Sequence, residues 1–333
     1  MAASASAVRL YDHSSSPAPL RSLLRTALPL SLPLYSTLST PGLPTPVWAT
    51  LSPGAVPENV QDSPPYVILA DLGNQLRFFC STEAKRDRTD DEVKDAAVLV
   101  SGALRQYLRQ HAGQRDRMSI GAIPDIWRQT VRDTFGVEPF SASEIHYRLL
   151  AGLPDTLTNG STKGASVLPG GIVTTKGRKE DVAEILSNSE VPHPPSYLET
   201  RLAHTTVLRS PPAQTPTNAA TCTSDPRTAP SDPSTPNGFP PDTILAHCTT
   251  HRDGSIGTLH VSPLARRRGL GTLVYLARSH TMRDSEGAEY VFSYVHKENE
   301  SSNALMRSVG MDKSGYEVWW ARIKLPLPDE DEA

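Results

Sequence analysis

Cysteine is nearly absent from this 333-residue chain: Cys80, Cys222 and Cys248 stand far apart and form no CxxC pair. An odd number at such spacing argues against a disulfide framework or a zinc ribbon, and fits a reducing compartment with no metal site. No apolar run approaches the roughly 18 residues that mark a membrane-spanning helix, so no membrane partner is expected. Positive charge is not in excess either. Lys and Arg number 33 against 36 Asp and Glu, leaving a net −3. Whole-molecule attraction to nucleic acid is therefore not expected, and any basic site must be local. Apolar residues make up 38 %, and there are 30 prolines. That apolar share is low for a globular chain, so part of it is expected not to pack.

The first 160 residues read as an α/β domain. "VWATL" and "YVILADLGNQLRFFCS" are strand-like, bounded by Pro, Gly and Asn. "DDEVKDAAVLVSGALRQYLRQHA" predicts a helix, with acids in its first turn and arginines later. Val93, Ala97, Val100, Leu104 and Leu108 form its apolar stripe. A second helix starts after Pro124. The N-terminus carries arginines, serines and leucines, as a mitochondrial presequence would. Asp12 and the proline breaks favour a cytoplasmic protein instead.

A second domain is expected over 168–326, interrupted by "RSPPAQTPTNAATCTSDPRTAPSDPSTPNGFPPD" at 209–242. With almost no large apolar residue, that stretch predicts a disordered insertion. Beyond it the pattern is β-β-α-β-α-β, with a hairpin at "RDG" and a helix over 267–283. The acidic end, 327–333, predicts a solvated tail.

"LHVSPLARRRGLGTLVYLARSH" places three arginines and two glycines between a strand and a helix. A helix N-terminus leaves N–H groups without intrahelical partners, and glycines let them converge on one point. A phosphate there gains hydrogen bonds and the helix dipole together, and arginines add charge. Arg266, Arg267, Arg268, Gly269, Leu270, Gly271 and Thr272 meet these conditions. The same residues also suit a solvated basic turn.

The segment resembles the acyl-CoA pyrophosphate loop of the GNAT superfamily of N-acyltransferases, whose signature is Q/R-x-x-G-x-G/A. Arg266, Gly269 and Gly271 occupy the three specified places. A second family motif follows at its usual spacing in Asn299, Ser302, Leu305, Met306, Gly310 and Met311. The resemblance implies an α+β GNAT fold in the C-terminal half, a mixed and mostly antiparallel sheet flanked by helices. The opening "LRTALPLSLPLYSTL" also resembles the glycine N-acyltransferase branch, which would make the N-terminal domain a degenerate GNAT half.

The resemblance implies acetyl-CoA or another acyl-CoA as cosubstrate and an amine of a small molecule, amino acid or peptide as acceptor. The backbone of Leu259, His260 and Val261 would hold the acyl arm, and Asn299 and Ser302 would contribute to cofactor binding. A backbone N–H aimed at the developing oxyanion would stabilise it without reorganisation. Several family members place a glutamate fourteen residues before the first loop glycine, which here is Ser255. Met306 stands where many have a tyrosine. Catalysis is therefore expected through a water held by Ser255, or through His260 or His296, with Asp253 as a nearby substitute. Strand alternation would place His260 on the face opposite Ser255. Tyr197, Glu199 and Arg201 either read a substrate or form a solvated helix face. Three functions compete: direct acyl transfer to an amine, CoA binding with little turnover, and a phosphate contact to nucleic acid. The acidic total argues against the last.

Overall fold

A computed structural model describes residues 8–40, 45–61, 63–111, 113, 115–153, 171–212 and 238–327. The chain opens with β1 (Tyr11–Asp12), α1 (Ala18–Arg25), α2 (Leu32–Ser39), β2 (Val47–Ala49), β3 (Val67–Asp71) and β4 (Gln75–Cys80). Next come α3 (Asp90–Gln110), β5 (Arg117–Pro124), α4 (Asp125–Phe135) and β6 (Phe140–Leu149). The second run is β7 (Val173–Lys176), α5 (Val182–Ser187), α6 (Pro195–Glu199), β8 (Thr205–Arg209), β9 (Ile244–Thr250) and β10 (Ile256–Val261). It closes with α7 (Leu270–Glu286), β11 (Tyr290–His296), α8 (Glu300–Ser308) and β12 (Asp312–Lys324). Apart from short 3₁₀ turns, both runs follow one order, β-α-α-β-β-β-α-β-α-β. The fold is α+β, as expected.

The compact units do not follow that repeat. One comprises Met1–Arg148, Arg252–Ser255 and Phe292–Ala333; the other comprises Leu149–His251 and Ile256–Val291. The reason is β12. Although late in sequence, it pairs antiparallel with both β5 and β6, in a sheet ordered β1-β2-β3-β4-β5-β12-β6-β11. The stretch 168–326 thus contributes strands to two sheets. In the first sheet β4 and β5 run parallel, whereas β1–β2, β2–β3, β3–β4, β5–β12 and β12–β6 are antiparallel. The second sheet, β10-β9-β8-β7, is antiparallel throughout.

Local chemistry explains the first unit's main helix. Thr89 accepts from the Glu92 N–H at 3.2 Å, and Glu92 Oε2 accepts from the Thr89 N–H at 2.9 Å, a reciprocal cap. Along α3, Val100, Ala103, Leu104, Tyr107 and Leu108 are buried against Leu69, Leu76, Phe78 and Ile120 of the sheet. In the second unit all seven residues of β9 are buried. The inner face of α7 buries Val274, Tyr275 and Met282. Arg278 on the same helix is buried, yet it donates to Thr250 Oγ1 at 2.6 Å and to both oxygens of Glu286 at 2.7 and 2.6 Å. Burial opposes ionisation of Glu286, but His204 and Arg278 outweigh it and hold the carboxyl near 2.

The expected insertion is too wide at both ends. Arg209 closes β8, is buried, and pairs with Asp181. The Ser210 N–H donates to the Thr243 carbonyl at 3.0 Å, and Phe239 is buried with the Arg268 guanidinium 4.8 Å from its ring centroid. These residues belong to the packed second unit. Residues 213–237, and the tail at 328–333, lie outside the described residues. Among the described residues no helix is long and apolar enough to cross a membrane, and no cluster of His, Cys, Asp or Glu is suited to a metal ion.

Candidate functional site

The arginine–glycine turn joins β10 to α7 within the second unit. Gly269 caps the helix with φ +74°, a left-handed conformation that glycine adopts without steric cost. No side chain caps α7, and its first turn carries no acid. The helix therefore starts at Leu270, three residues later than the sequence suggested. Arg267 is also left-handed, at φ +61°. Arg266, Arg267 and Arg268 are exposed. Arg266 Nε donates back to the Val261 carbonyl at 3.2 Å, tying the turn to the end of β10.

The equivalent turn in the first unit, between β4 and α3, has the opposite chemistry. The Thr89 and Glu92 side chains take up the N–H groups of Glu92 and Thr89, and Asp90, Asp91 and Glu92 crowd the first turn. An anion at the α3 terminus would meet a capped helix end and three carboxylates. At the α7 terminus it would meet a helix end with no side-chain cap and three guanidinium groups. Of these two strand-to-helix turns, the one at α7 fits a pyrophosphate.

β10 does not run as a regular strand. Gly257 pairs with Thr249, but His260 pairs with His247, so two β10 residues face one on β9. Thr258, inside this bulge, has φ +49°. The extra residue breaks strict alternation, so the argument that set His260 opposite Ser255 does not hold. His260 is half-buried and stacks on His247 at 5.7 Å, 24° from parallel. Burial, with Arg266 nearby, holds His260 below its ordinary range. His247 is fully buried; burial and the neighbouring His260 push it down to about 4.

Ser255 has a different role from the expected water holder. It lies just before β10, is 2 % exposed, and donates its hydroxyl to Asp253 Oδ1 at 2.7 Å. Asp253 is equally buried. Its Oδ1 also accepts the Ser255 N–H at 3.1 Å, and its Oδ2 accepts from Arg77 at 2.8 Å and from the Tyr294 hydroxyl at 3.0 Å. Four donors on one carboxylate leave it a structural anchor, not the substitute base. Burial, followed by the charge of Asp253, raises the Tyr294 hydroxyl well above its usual value. All four side chains belong to the first unit.

The remaining expected residues also lie in the first unit. His296 ends β11, is exposed, and meets Ser141 Oγ at 3.2 Å. Asn299 caps α8, its Oδ1 accepting from the Ser302 N–H at 3.0 Å. Met306 is buried. Asn303, which sequence reasoning passed over, holds this turn by donating to the carbonyls of His296, Lys297 and Asn299 at 3.1, 3.2 and 2.9 Å. Ser255, His296, Asn299 and Ser302 thus share one unit, while Leu259 to Val261 and Arg266 to Thr272 share the other.

The segment before β8 brings Tyr197 into the second unit's site region. Tyr197 OH lies 2.8 Å from His251 Nδ1, and His251 Nε2 lies 3.4 Å from Thr258 Oγ1 in the bulge. His193 stacks on Tyr197 at 5.0 Å. Burial lowers the His193 imidazole. Arg201 lies inside the unit, not on a solvated helix face. It is 2 % exposed and donates to the carbonyls of Thr250 and His251 at 2.9 and 3.2 Å. Glu199 is exposed at the end of α6. Sequence reasoning named Tyr197 but not its partner His251, whose only local signal was its place beside the "RDG" turn.

The FR47-like protein family model matches residues 240–320, a stretch that contains both expected motifs. A search of curated protein sequences finds no match. Among solved structures, a Drosophila protein from a structural genomics programme is similar over 95 % of this chain and 98 % of its own. Its identity is 17 % and the TM-score 0.59, so the likeness is one of fold along nearly the whole length. A tandem GNAT protein from the clavulanic acid biosynthesis pathway, solved without acetyl-CoA, covers 96 % of this chain and 100 % of its own, at 14 % identity and TM-score 0.47. A GCN5-related N-acetyltransferase from Sphaerobacter thermophilus covers 96 % and 97 %, at 12 % identity and TM-score 0.45.

Proposed function

We propose that this chain transfers an acyl group from an acyl-CoA thioester to an amine, with the β10–α7 turn as its CoA site. One observation carries the reading: a helix with no side-chain cap, entered through left-handed Gly269 and flanked by three exposed arginines, is the next helix after β10, beyond a short 3₁₀ turn. The family match over 240–320 supports it. N–H groups from Arg267 to Thr272 would receive the pyrophosphate, and Arg266 to Arg268 would supply countercharge. The backbone of Leu259, His260 and Val261 would run beside the acyl arm. The bulge at Thr258 supports this, because it interrupts the β9–β10 ladder where main-chain groups are needed for the thioester carbonyl. The substrate supplies an activated carbonyl with a thiol leaving group. The protein's part is to hold that carbonyl and the amine together and to manage a proton. Asn299 and Ser302 already serve the α8 cap, so the proposal does not depend on them. The acidic, capped α3 terminus supports a single CoA site per chain.

A second reading is CoA binding without turnover. It is favoured by Ser255 and Met306, both buried and neither an acid-base group where the family commonly has one. Incubation with acetyl-CoA and a panel of primary amines separates the two. Thiol release with an acylated product, seen by mass spectrometry, supports transfer. Saturable CoA binding without thiol release across the panel supports the second reading.

A further inference from the structure

We propose that His251, aligned by Tyr197, takes the proton from the acceptor amine; this rests on the acyl-transfer reading above. Three separate segments of the second unit converge here. His193 and Tyr197 come from the stretch before β8, His251 follows β9, and Thr258 sits in the β10 bulge. Tyr197 lies 6.0 Å from His251 at 19°, and His193 packs 5.3 Å from His251 at 39°. Tyr197 fixes Nδ1 of His251 at 2.8 Å. The opposite nitrogen, Nε2, is thereby turned towards β10. Gly257 makes that approach possible, since a Cβ there would meet His251 Nε2 at 2.6 Å. The Nε2 contact to Thr258 Oγ1, at 3.4 Å, is long for a hydrogen bond, so water or an amine can replace it. His193, Tyr197, His251 and Thr258 are all half-buried.

Several groups pack around the imidazole. His193 packs against it at a tilt, Tyr197 meets its Nδ1, Arg201 bonds the carbonyls of Thr250 and His251, and Gly257 and Thr258 of β10 are neutral. The arrangement places an oriented imidazole beside the strand proposed to hold the thioester. Two of the alternatives are occupied: Asp253 accepts four hydrogen bonds, and the Ser255 hydroxyl donates to it.

The proton accounting closes. An acceptor ammonium gives one N–H proton to His251 Nε2. The freed lone pair forms the bond from nitrogen to the carbonyl carbon, and the carbon–sulfur bond breaks. A second N–H proton passes from nitrogen through water to the thiolate, and the proton on His251 returns to solvent. The products are an amide, a thiol and one released proton.

The test uses the full chain, acetyl-CoA, and a panel of the twenty amino acids and short diamines. CoA affinity and kcat/KM against pH are measured for the wild type, His251→Gln, Tyr197→Phe and His260→Gln. His251→Gln is expected to keep CoA affinity, to lose on the order of 100-fold in kcat/KM, and to lose the rising limb of the pH profile. Tyr197→Phe is expected to lose less and to shift that limb. Should His251→Gln fail to fold, the shift in Tyr197→Phe decides. Turnover with an unchanged limb in His251→Gln, or loss of the limb in His260→Gln instead, overturns this assignment alone. No turnover with any amine despite CoA binding overturns the transfer reading and this assignment with it.

Discussion

Arg77 Nη2 donates to Asp253 Oδ2 across 2.8 Å, joining residues 176 positions apart in the chain. Both are almost fully buried, at 4 % and 2 % exposure. Burial works against the Arg77 charge, but Tyr294 and Asp253 together hold it above its ordinary value. The pair fixes the turn that leads into β10. In the same turn Arg252 donates to the Leu72 carbonyl at 2.8 Å.

Breaking that pair from one side leaves a buried charge without its partner. Arg77→Met is expected to destabilise the protein by about 3–5 kcal/mol in urea unfolding. Ser255→Ala, which removes one of four donors to Asp253, should cost only about 1 kcal/mol. Equal losses in the two variants would show that Asp253 is not the anchor described above.

Glu83 sets a pH dependence of stability. Burial pushes its carboxyl from 4.5 up to about 8, although the Cys80 N–H and Trp127 Nε1 both donate to its Oε1. The folded state therefore holds this proton more tightly than the unfolded chain. Stability from this group is full below about pH 4.5 and is lost as pH rises towards about 8. Glu83→Gln keeps the Oε1 acceptor and cannot ionise. Melting temperatures measured from pH 5 to 8.5 should fall less steeply in the variant than in the wild type. Parallel curves would contradict the assignment.

The ends of the proline-rich segment are already held together. The Ser210 N–H bonds the Thr243 carbonyl at 3.0 Å, and the Asp242 N–H reaches the Pro211 carbonyl at 3.4 Å. Replacing residues 213–237 with six Gly and Ser residues should leave CoA affinity unchanged. Thermal stability should stay level or rise slightly, because loop closure costs about 0.6 kcal/mol per doubling of length. A large loss of stability would mean that the segment packs on the fold.

Local signals were legible in the sequence, and distant ones were not. The α3 helix announced itself through its acidic first turn and its spaced apolar residues. Glycines against arginines marked the β10–α7 turn, and the spacing of Asn299 to Gly310 marked α8. Arg77 gave no such signal, because its partner Asp253 lies in another segment and nothing local asks for a buried cation on β4. The bulge was hidden for a different reason. Thr258 is β-branched and holds φ +49°, so composition argued for a regular strand there and alternation misplaced His260. The route of β12 was also unreadable, since strand order depends on pairing, not on sequence order.

The central claim is that the turn from β10 into α7 holds the pyrophosphate of acyl-CoA. Gly269→Asp tests it most directly. A Cβ at this position would meet nothing within 4 Å, so the added side chain fits sterically, at a backbone cost of about 1–2 kcal/mol for the left-handed conformation. A carboxylate at the α7 terminus would repel the phosphates from the same N–H groups. Calorimetric titration with CoA should give saturable binding to the wild type and a loss of at least about tenfold in a folded Gly269→Asp variant. Equal CoA affinity in the two proteins would contradict the account.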